Sequence, residues 1–243
     1  MKLFISSDYR EMSVIAARAV ARQVLMKPDS VLGLATGETT KGMYEKLVTM
    51  HDQQLVDFSA VRTFNLDEYY PIEPKDERSF HYYMKHRFFD QVNLKPENRF
   101  LPDGSTENPK EECRKYESSL AQAGGIDLQL LGIGSNGHIG FNEPGVDWGT
   151  TTRLVNLENQ TVKKTFGSDS SAPTKAITMG IKNIMNASQV VLLASGGQKA
   201  EIVEKALTRP VTNEVPASIL QLHPDLKIIL DEAAAGRLPK KEV

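Results

Sequence analysis

The sequence predicts an α/β fold with a doubly wound, mostly parallel sheet flanked by helices, of Rossmann-like type. Short apolar runs alternate along the chain with segments of helical periodicity, an order typical of βαβ units. The apolar runs are rich in aliphatic residues and mostly lack polar alternation, as expected for parallel strands covered on both faces. No internal repeat and no linker-like change in composition interrupts the 243 residues, so we expect a single domain over residues 1–243.

Each predicted element rests on a local pattern. Strands are predicted over residues 2–5, 30–35, 61–66, 126–133, 190–194 and 226–230. Helices are predicted over residues 11–26, 40–51, 108–123, 177–186 and 198–207. In the first helix, apolar residues recur every four positions from Met12 to Val24, and Lys27 and Pro28 end the pattern.

Residues 146–174 lack such a pattern and are rich in Thr, Ser, Gly and Asn. They directly follow the glycine-rich segment of residues 130–145, which contains candidate catalytic side chains. We therefore expect residues 146–174 to form a mobile lid over a site. The alternative is a surface excursion without a function.

The charge and composition of the chain indicate which partners and which cellular location to expect. The formal net charge of −2 gives no electrostatic reason to expect nucleic acid or an anionic membrane as a partner. No apolar run approaches the ~20 residues of a membrane-spanning helix, and the start MKLFISSDYR is too polar for a secretory signal. Cys113 is the only cysteine, which excludes an internal disulfide. We therefore expect a cytoplasmic protein.

The segment LLGIGSNGHIGFNEPG, residues 130–145, is the most informative part of the chain. A strand ends in three glycines, and the turn then presents His138 and Glu143. Such a turn at the carboxyl end of a sheet is where α/β proteins build a site. Taken alone, His138 would more often be a structural histidine bonded to backbone. No second His or Cys stands at metal-ligand spacing, so we expect no metal.

This segment resembles the signature of the glucosamine-6-phosphate deaminase (isomerase) family in order, spacing and residue type. The resemblance implies that His138 opens the sugar ring and that Glu143 orients or tunes its imidazole. The family often has Asp where Asn136 stands. Asn136 can orient His138 through a hydrogen bond, but it cannot stabilise an imidazolium by charge.

The turn between residues 30–35 and the next helix contains Thr36, Gly37, Glu38 and Thr39. Unpaired N–H groups at such a helix start favour an anion, although many ordinary turns carry the same residues. The resemblance implies that these residues bind the sugar phosphate. The family has a small residue where Glu38 stands, and a carboxylate ~4 Å from a phosphate would cost on the order of 1–4 kcal/mol. We therefore expect Glu38 to point away, or the ligand to differ slightly.

The segment FNLDEY places two carboxylates at the end of the strand predicted over residues 61–66. It resembles a family motif whose first acid moves a proton between C2 and C1 of the open-chain sugar. The resemblance gives that role to Asp67, since one carboxylate on one face of the substrate can perform both proton transfers. For Glu68 we expect a cap on the next loop or a pairing with a base.

Lys199 follows a glycine turn after the strand predicted over residues 190–194. Alone it would be a solvated lysine at a helix start, but the resemblance implies a contact with the substrate phosphate. The family also carries an arginine in the lid, which residues 161–173 lack. Lys163 and Lys164 are the candidates to replace it, without the bidentate geometry of a guanidinium.

The resemblance therefore implies a cofactor-independent enzyme that converts glucosamine 6-phosphate and water to fructose 6-phosphate and ammonia. Its partner is a small amino-sugar phosphate, and the oligomeric state stays open, a homo-oligomer included. The alternatives are a galactosamine-6-phosphate deaminase, a 6-phosphogluconolactonase and a non-catalytic sugar-phosphate sensor. A lactonase tends to show an arginine after Asp-Glu, and a sensor would lose the acid–base groups. The longer C-terminal tail of the allosteric deaminases is absent, so we expect no activation by N-acetylglucosamine 6-phosphate.

Overall fold

The structure is a computed structural model that describes residues 1–167, 169 and 171–239, except for the side chains of residues 159–161 and 164. The helices are α1 (Tyr9–Met26), α2 (Glu38–Asp52), α3 (Phe80–Arg87), α4 (Pro109–Gln122), α5 (Asn159–Phe166), α6 (Ile181–Met185), α7 (Ala200–Thr208) and α8 (Glu232–Ala235). The strands are β1 (Lys2–Ser6), β2 (Val31–Leu34), β3 (Arg62–Asn65), β4 (Asp67–Tyr70), β5 (Arg99–Phe100), β6 (Leu128–Gly132), β7 (Arg153–Asn156), β8 (Lys175–Thr178), β9 (Gln189–Ala194) and β10 (Leu226–Asp231).

A seven-stranded sheet forms the centre of the described part of the chain. Its order is β1-β10-β9-β6-β2-β3-β5, and all its neighbouring strands are parallel. The predicted doubly wound α/β fold is therefore confirmed. From β2 the chain continues outward to β3 and β5, whereas from β6 it continues to the opposite edge through β9 and β10. The strand order reverses between β2 and β6, which is the position where such sheets bind ligands.

Helix ends follow local side-chain chemistry. The side chain of Asp8 accepts a hydrogen bond from the N–H of Glu11 at the start of α1, and Asn108 caps α4 in the same way. The face of α1 that carries Met12 and Val24 is buried against the sheet, as its periodicity predicts.

Cys113 lies buried on α4, and burial raises the pKa of its thiol. None of the described helices is long and apolar enough to cross a membrane.

A polar side chain lies inside the sheet where β2 meets β6. Gln129 on β6 is completely buried, and its register partner on β2 is Gly33. A Cβ atom added at Gly33 would lie 2.1 Å from Oε1 of Gln129. The absence of a side chain at Gly33 is what lets the two strands pair at this point.

A second, three-stranded antiparallel sheet has the order β4-β8-β7. The helix predicted over residues 177–186 is wrong in its first part, since Ile177 pairs with Glu68 and Leu154 within this sheet. The helix begins only after Gly180, as α6. Tertiary pairing overrides the helical pattern here, because Ile177 is buried between the neighbouring strands.

The segment predicted as a lid, residues 146–174, contains β7 and α5. A small cluster of apolar side chains joins α5 to β4 and to the turn after β6. Its members are Tyr69, Ile72, Phe80, Phe141, Val155, Leu157, Val162, Phe166 and Ala176. The rings of Phe166 and Tyr69 meet edge to face, with 4.9 Å between their centroids. Whether this segment moves as a lid stays a prediction.

We predict that Gly33→Ala lowers the free energy of unfolding by about 1–3 kcal/mol, because the new methyl group overlaps the buried amide of Gln129. Urea denaturation measures the change. Gly132→Ala on the adjacent strand is the matched control, since an added Cβ there meets no atom within 4 Å. Equal stability of the two variants would contradict the prediction.

Candidate active site

The predicted site residues lie at the carboxyl ends of neighbouring strands of the large sheet. They are Thr36, Gly37, Glu38 and Thr39 between β2 and the first turn of α2, Asp67 after β3, Asn136, His138 and Glu143 after β6, and Lys199 after β9. Contacts between segments bring them to one edge. An added Cβ at Gly140 would lie 3.6 Å from Oδ2 of Asp67, and Nζ of Lys199 donates to the carbonyl oxygen of Ile133 at 2.7 Å.

His138, Glu143 and Asn136 form one hydrogen-bonded group. Nδ1 of His138 lies 3.1 and 3.2 Å from the two carboxylate oxygens of Glu143. Nδ2 of Asn136 donates to Glu143 at 2.6 Å, and the N–H of His138 donates to Oδ1 of Asn136 at 3.2 Å. The imidazole of His138 is therefore bonded to a carboxylate rather than to backbone. Asn136 contacts the backbone of His138 and the carboxylate of Glu143, and its predicted role in orienting the imidazole stays a prediction.

The protonation of this group follows from its contacts. Burial opposes ionisation of Glu143, but hydrogen bonds from His138 and Asn136 outweigh it and hold the pKa of Glu143 below its ordinary value. A carboxylate at Nδ1 favours the tautomer that has its proton there, so Nε2 of a neutral His138 is left as an acceptor. Gly134 packs against this nitrogen, since an added Cβ would lie 2.2 Å from it.

A buried asparagine shapes the turn between His138 and Glu143. Asn142 is fully buried, and its Nδ2 donates to the carbonyl oxygens of Ile139 and Met179, each at 2.9 Å. Its Oδ1 accepts from Nη1 of Arg153 on β7, also at 2.9 Å. Sequence reasoning did not find Asn142 or Arg153. The only signal was a second amide residue in the glycine-rich turn.

Asp67 is the first residue of β4 and pairs with Thr178 on β8. Its side chain is buried, and burial together with the negative charge of Glu68 raises the pKa of Asp67 to about 8. A carboxyl group with a pKa near neutral can both accept and return a proton, as a general base that acts twice must do. The small sheet therefore gives Asp67 the basicity that an exposed aspartate lacks.

Glu68 points to the other side of β4, away from this chemistry. It is completely buried and accepts backbone N–H groups from Tyr69, Phe80 and His81 at 2.8–2.9 Å. Its Oε2 also lies 2.9 Å from Nδ1 of His81. The prediction that Glu68 caps the following segment or pairs with a base is confirmed.

The loop of residues 36–40 connects β2 to α2 and is called the phosphate loop below, after the ligand predicted for it. Gly37 has a φ of +108°, a conformation that glycine adopts without strain. The Glu38 side chain is 90% exposed, and its Oε2 lies 3.9 Å from Nζ of Lys41. The side chain therefore extends into solvent, and whether it points away from a bound phosphate stays a prediction. Thr40 is buried, and its hydroxyl donates to the carbonyl oxygens of Ala35 and Gly37.

A cavity of about 470 Å³ adjoins the phosphate loop and the turn that precedes Lys199. Its lining residues are Tyr9, Glu38, Thr39, Lys41, Gly42, Glu45, Ser195 and Gln198. Asp231 fixes the turn, because its carboxylate accepts hydrogen bonds from the Ser195 hydroxyl and the N–H of Gly196.

Lys163, a candidate to replace the lid arginine, is exposed on α5. The side chain of the other candidate, Lys164, lies outside the described residues.

The sequence profile of a family described as glucosamine-6-phosphate isomerases/6-phosphogluconolactonase matches residues 10–228. The chain belongs to this family. A relative from Thermoanaerobacter pseudethanolicus, named glucosamine-6-phosphate deaminase, is 49% identical in an alignment that covers 100% of this chain and 97% of the relative. A relative of the same name from Clostridium botulinum is 47% identical in an alignment that covers 99% of this chain and 100% of the relative.

Solved structures within the family agree with the fold. A monomeric glucosamine-6-phosphate deaminase superposes with a TM-score of 0.94 at 43% identity, covering 98% of this chain and 100% of the other. The 6-phosphogluconolactonase from Trypanosoma brucei superposes with a TM-score of 0.79 at 19% identity, covering 98% of each chain. At that identity the second likeness concerns the fold alone.

The raised pKa of Asp67 predicts a pH-dependent cost to stability. The folded state keeps this carboxyl protonated while the carboxyl of the unfolded state ionises. Its contribution to stability is therefore complete below the ordinary pKa of 3.8 and is lost as the pH rises towards about 8. We predict that Asp67→Asn, which stays neutral, gains stability relative to the native protein between about pH 5 and about pH 8, by at most ~1.4 kcal/mol per pH unit. Urea denaturation at both pH values measures this. A stability difference that does not change with pH would contradict it.

Proposed function

We propose that this protein converts glucosamine 6-phosphate and water to fructose 6-phosphate and ammonia. One observation supports the proposal most strongly. A buried carboxyl of raised pKa, Asp67, stands behind the turn that carries the His138–Glu143 pair. The chemistry needs both parts, because the sugar ring must open before the C2 proton becomes acidic. Close relatives over the full length are named glucosamine-6-phosphate deaminase.

Ring opening is the role of His138. Its Nε2 accepts the proton of the anomeric hydroxyl and then delivers a proton to the ring oxygen, which breaks the bond between C1 and that oxygen. Glu143 holds Nδ1 and stabilises the imidazolium that forms in between. Asn136 keeps the carboxylate in position through its amide. The ionised carboxylate of Glu143 supplies the charge that Asn136 cannot.

Isomerisation and deamination follow from the open chain. Asp67 removes the proton from C2, and the electrons of that bond form a double bond between C2 and C1. The C=O π bond at C1 breaks at the same time, and the former aldehyde oxygen takes its electrons and a proton from water, which gives an enolamine. The same carboxyl returns the proton to C1, which leaves an imine at C2. Water adds to C2 and ammonia leaves with the C–N bond electrons, giving the ketone. No redox partner is required for this sequence.

The phosphate end of the substrate lies at the phosphate loop and Lys199. N–H groups in the first turn of α2 have no partner within the helix, and together with the helix dipole they favour an anion. The Lys199 ammonium donates to Ile133 at the same edge of the sheet and adds positive charge. A doubly charged sugar phosphate does not cross membranes, so a cytoplasmic location accompanies this proposal.

The first experiment measures ammonia and fructose 6-phosphate released from glucosamine 6-phosphate. Galactosamine 6-phosphate and 6-phosphogluconolactone are assayed in parallel. Turnover of the glucosamine ester alone is the expected result. Turnover of only galactosamine 6-phosphate would show that the enzyme is specific for the C4 epimer. Turnover of only 6-phosphogluconolactone would show that the protein is a lactonase and would overturn the proposal. Binding of a sugar phosphate without turnover of any of the three would indicate a sensor.

We predict that Asp67→Asn reduces kcat by at least about 100-fold and leaves the KM for glucosamine 6-phosphate within about threefold, because an amide cannot accept the C2 proton. Steady-state kinetics measure both values. Asp52→Asn on the exposed end of α2 is the matched control and should retain full activity. Turnover of the Asp67 variant above about 10% of the native rate would remove Asp67 as the base.

We predict that Lys199→Ala raises the KM for glucosamine 6-phosphate by about tenfold and changes kcat less, since loss of one charge contact with phosphate weakens binding by ~1.4 kcal/mol. Lys182→Ala, at an exposed position on α6, is the control for loss of a lysine. An unchanged KM in the Lys199 variant would place the phosphate elsewhere.

A further inference from the structure

Several hydroxyl groups from outside the phosphate loop hold its carbonyl oxygens. Three tyrosines donate to this part of the chain: Tyr44 to the carbonyl oxygen of Ala35 at 2.7 Å, Tyr83 to that of Gly37 at 3.0 Å and Tyr9 to that of Glu38 at 2.8 Å. Tyr83 reaches the loop from α3, and Tyr9 reaches it from the first turn of α1. Three separate helices therefore fix the peptide groups of a single short loop.

The contact of Tyr9 differs from the other two because its hydroxyl also accepts. The N–H of Gly42 donates to it at 2.8 Å, while the same oxygen donates to Glu38. Glu38 and Gly42 are four residues apart, so they are the acceptor and donor that close the first hydrogen-bonded turn of α2. The hydroxyl of Tyr9 thus bridges the two ends of this turn.

Gly42 leaves the space in which this bridge forms. A Cβ atom added there would lie 2.5 Å from Oγ of Ser13 and 3.0 Å from the Tyr9 hydroxyl. Ser13 is itself fixed, because it is buried and its hydroxyl donates to the carbonyl oxygen of Tyr9 at 2.8 Å. Any side chain at position 42 would push the first turns of α1 and α2 apart.

The orientation of the carbonyl groups determines where the N–H groups of the loop point. In a trans peptide the C=O of one residue and the N–H of the next point in opposite directions. The hydroxyl of Tyr83 on the Gly37 carbonyl therefore sets the N–H of Glu38, and the hydroxyl of Tyr9 on the Glu38 carbonyl sets the N–H of Thr39. These are two of the N–H groups at the start of α2 that have no partner within the helix.

We infer that Tyr9 is a positioning residue for phosphate, which acts through the bridge between Glu38 and Gly42 and holds the N–H of Thr39 towards the substrate. The inference rests on the proposed function, because it takes the phosphate loop as the site of the sugar phosphate. It adds a determinant of substrate affinity in the first turn of α1, outside the loop itself. Tyr9 also lines the cavity beside the loop, together with Thr39 and Gly42.

The test is Tyr9→Phe, which removes one hydroxyl and keeps a ring that is already 36% exposed. Without the hydroxyl, the Glu38 carbonyl and the Gly42 N–H lose their shared partner, and the peptide between Glu38 and Thr39 is free to rotate. We expect the KM for glucosamine 6-phosphate to rise by about 3- to 10-fold with kcat within about twofold. The dissociation constant of inorganic phosphate, measured by titration calorimetry, should rise by the same factor.

Two further variants make the test specific. Tyr82→Phe on α3 removes the hydroxyl of a ring that stacks on His86, and it should change neither constant. Gly42→Ala displaces the bridge from its other side and should reproduce the rise in KM and in the phosphate constant. Thermal unfolding of each variant shows that the protein is folded. A KM and a phosphate constant within twofold of the native values in the Tyr9 and Gly42 variants would overturn the inference, and so would a fall in kcat at unchanged KM.

The two proposals fail in different ways. If the native protein turns over none of the assayed substrates, the proposed function is wrong, and the phosphate dissociation constants of the native and Tyr9 proteins still decide the role of Tyr9. If the native protein does not bind inorganic phosphate or a sugar phosphate, the role of Tyr9 is overturned as well.

Discussion

The pairing of β2 with β6 is the contact on which the rest of the site depends. It spans two residue pairs, Leu32 with Leu128 and Gly33 with Gln129, and the chain leaves these strands in opposite directions. In sheets of this kind a ligand binds where the connections diverge, at the carboxyl ends of two such strands. The buried amide of Gln129 lies within this pairing and fits only because Gly33 has no side chain.

The second sheet gives the site its chemical character. It carries Asp67 at the start of β4, where β8 covers the strand and excludes water. The same strand aims Glu68 at the start of α3, where the N–H groups of Phe80 and His81 and the His81 imidazole hydrogen-bond to its carboxylate; the N–H of Tyr69 donates to it as well. Two adjacent carboxylates therefore have opposite environments. Glu68 accepts several hydrogen bonds and has a structural role. Asp67 is buried beside the negative charge of Glu68, and both effects raise its pKa.

Patterns that are local in sequence predict much of this molecule. The alternation of apolar runs and helical segments predicts six of the seven strands of the large sheet, all except the two-residue β5. One glycine-rich turn contains His138, Glu143 and Asn136 within eight residues. Contacts between distant segments are not predictable in this way. Strands β7 and β8 are short, and β8 is stabilised by pairing with β4, more than a hundred residues earlier. Likewise, nothing in the sequence around Tyr9 indicates that its hydroxyl reaches Glu38.

The hairpin of β7 and β8 has a consequence for how the family diversifies. Its register is fixed by the pairs from Arg153 with Thr178 to Asn156 with Lys175, and residues 157–174 connect its ends. Insertions or deletions in this connection leave both strands in place, since the cost of closing a loop grows slowly with its length. The length of this connection can therefore vary among relatives while β8 keeps its pairing with β4 and Asp67 keeps its place.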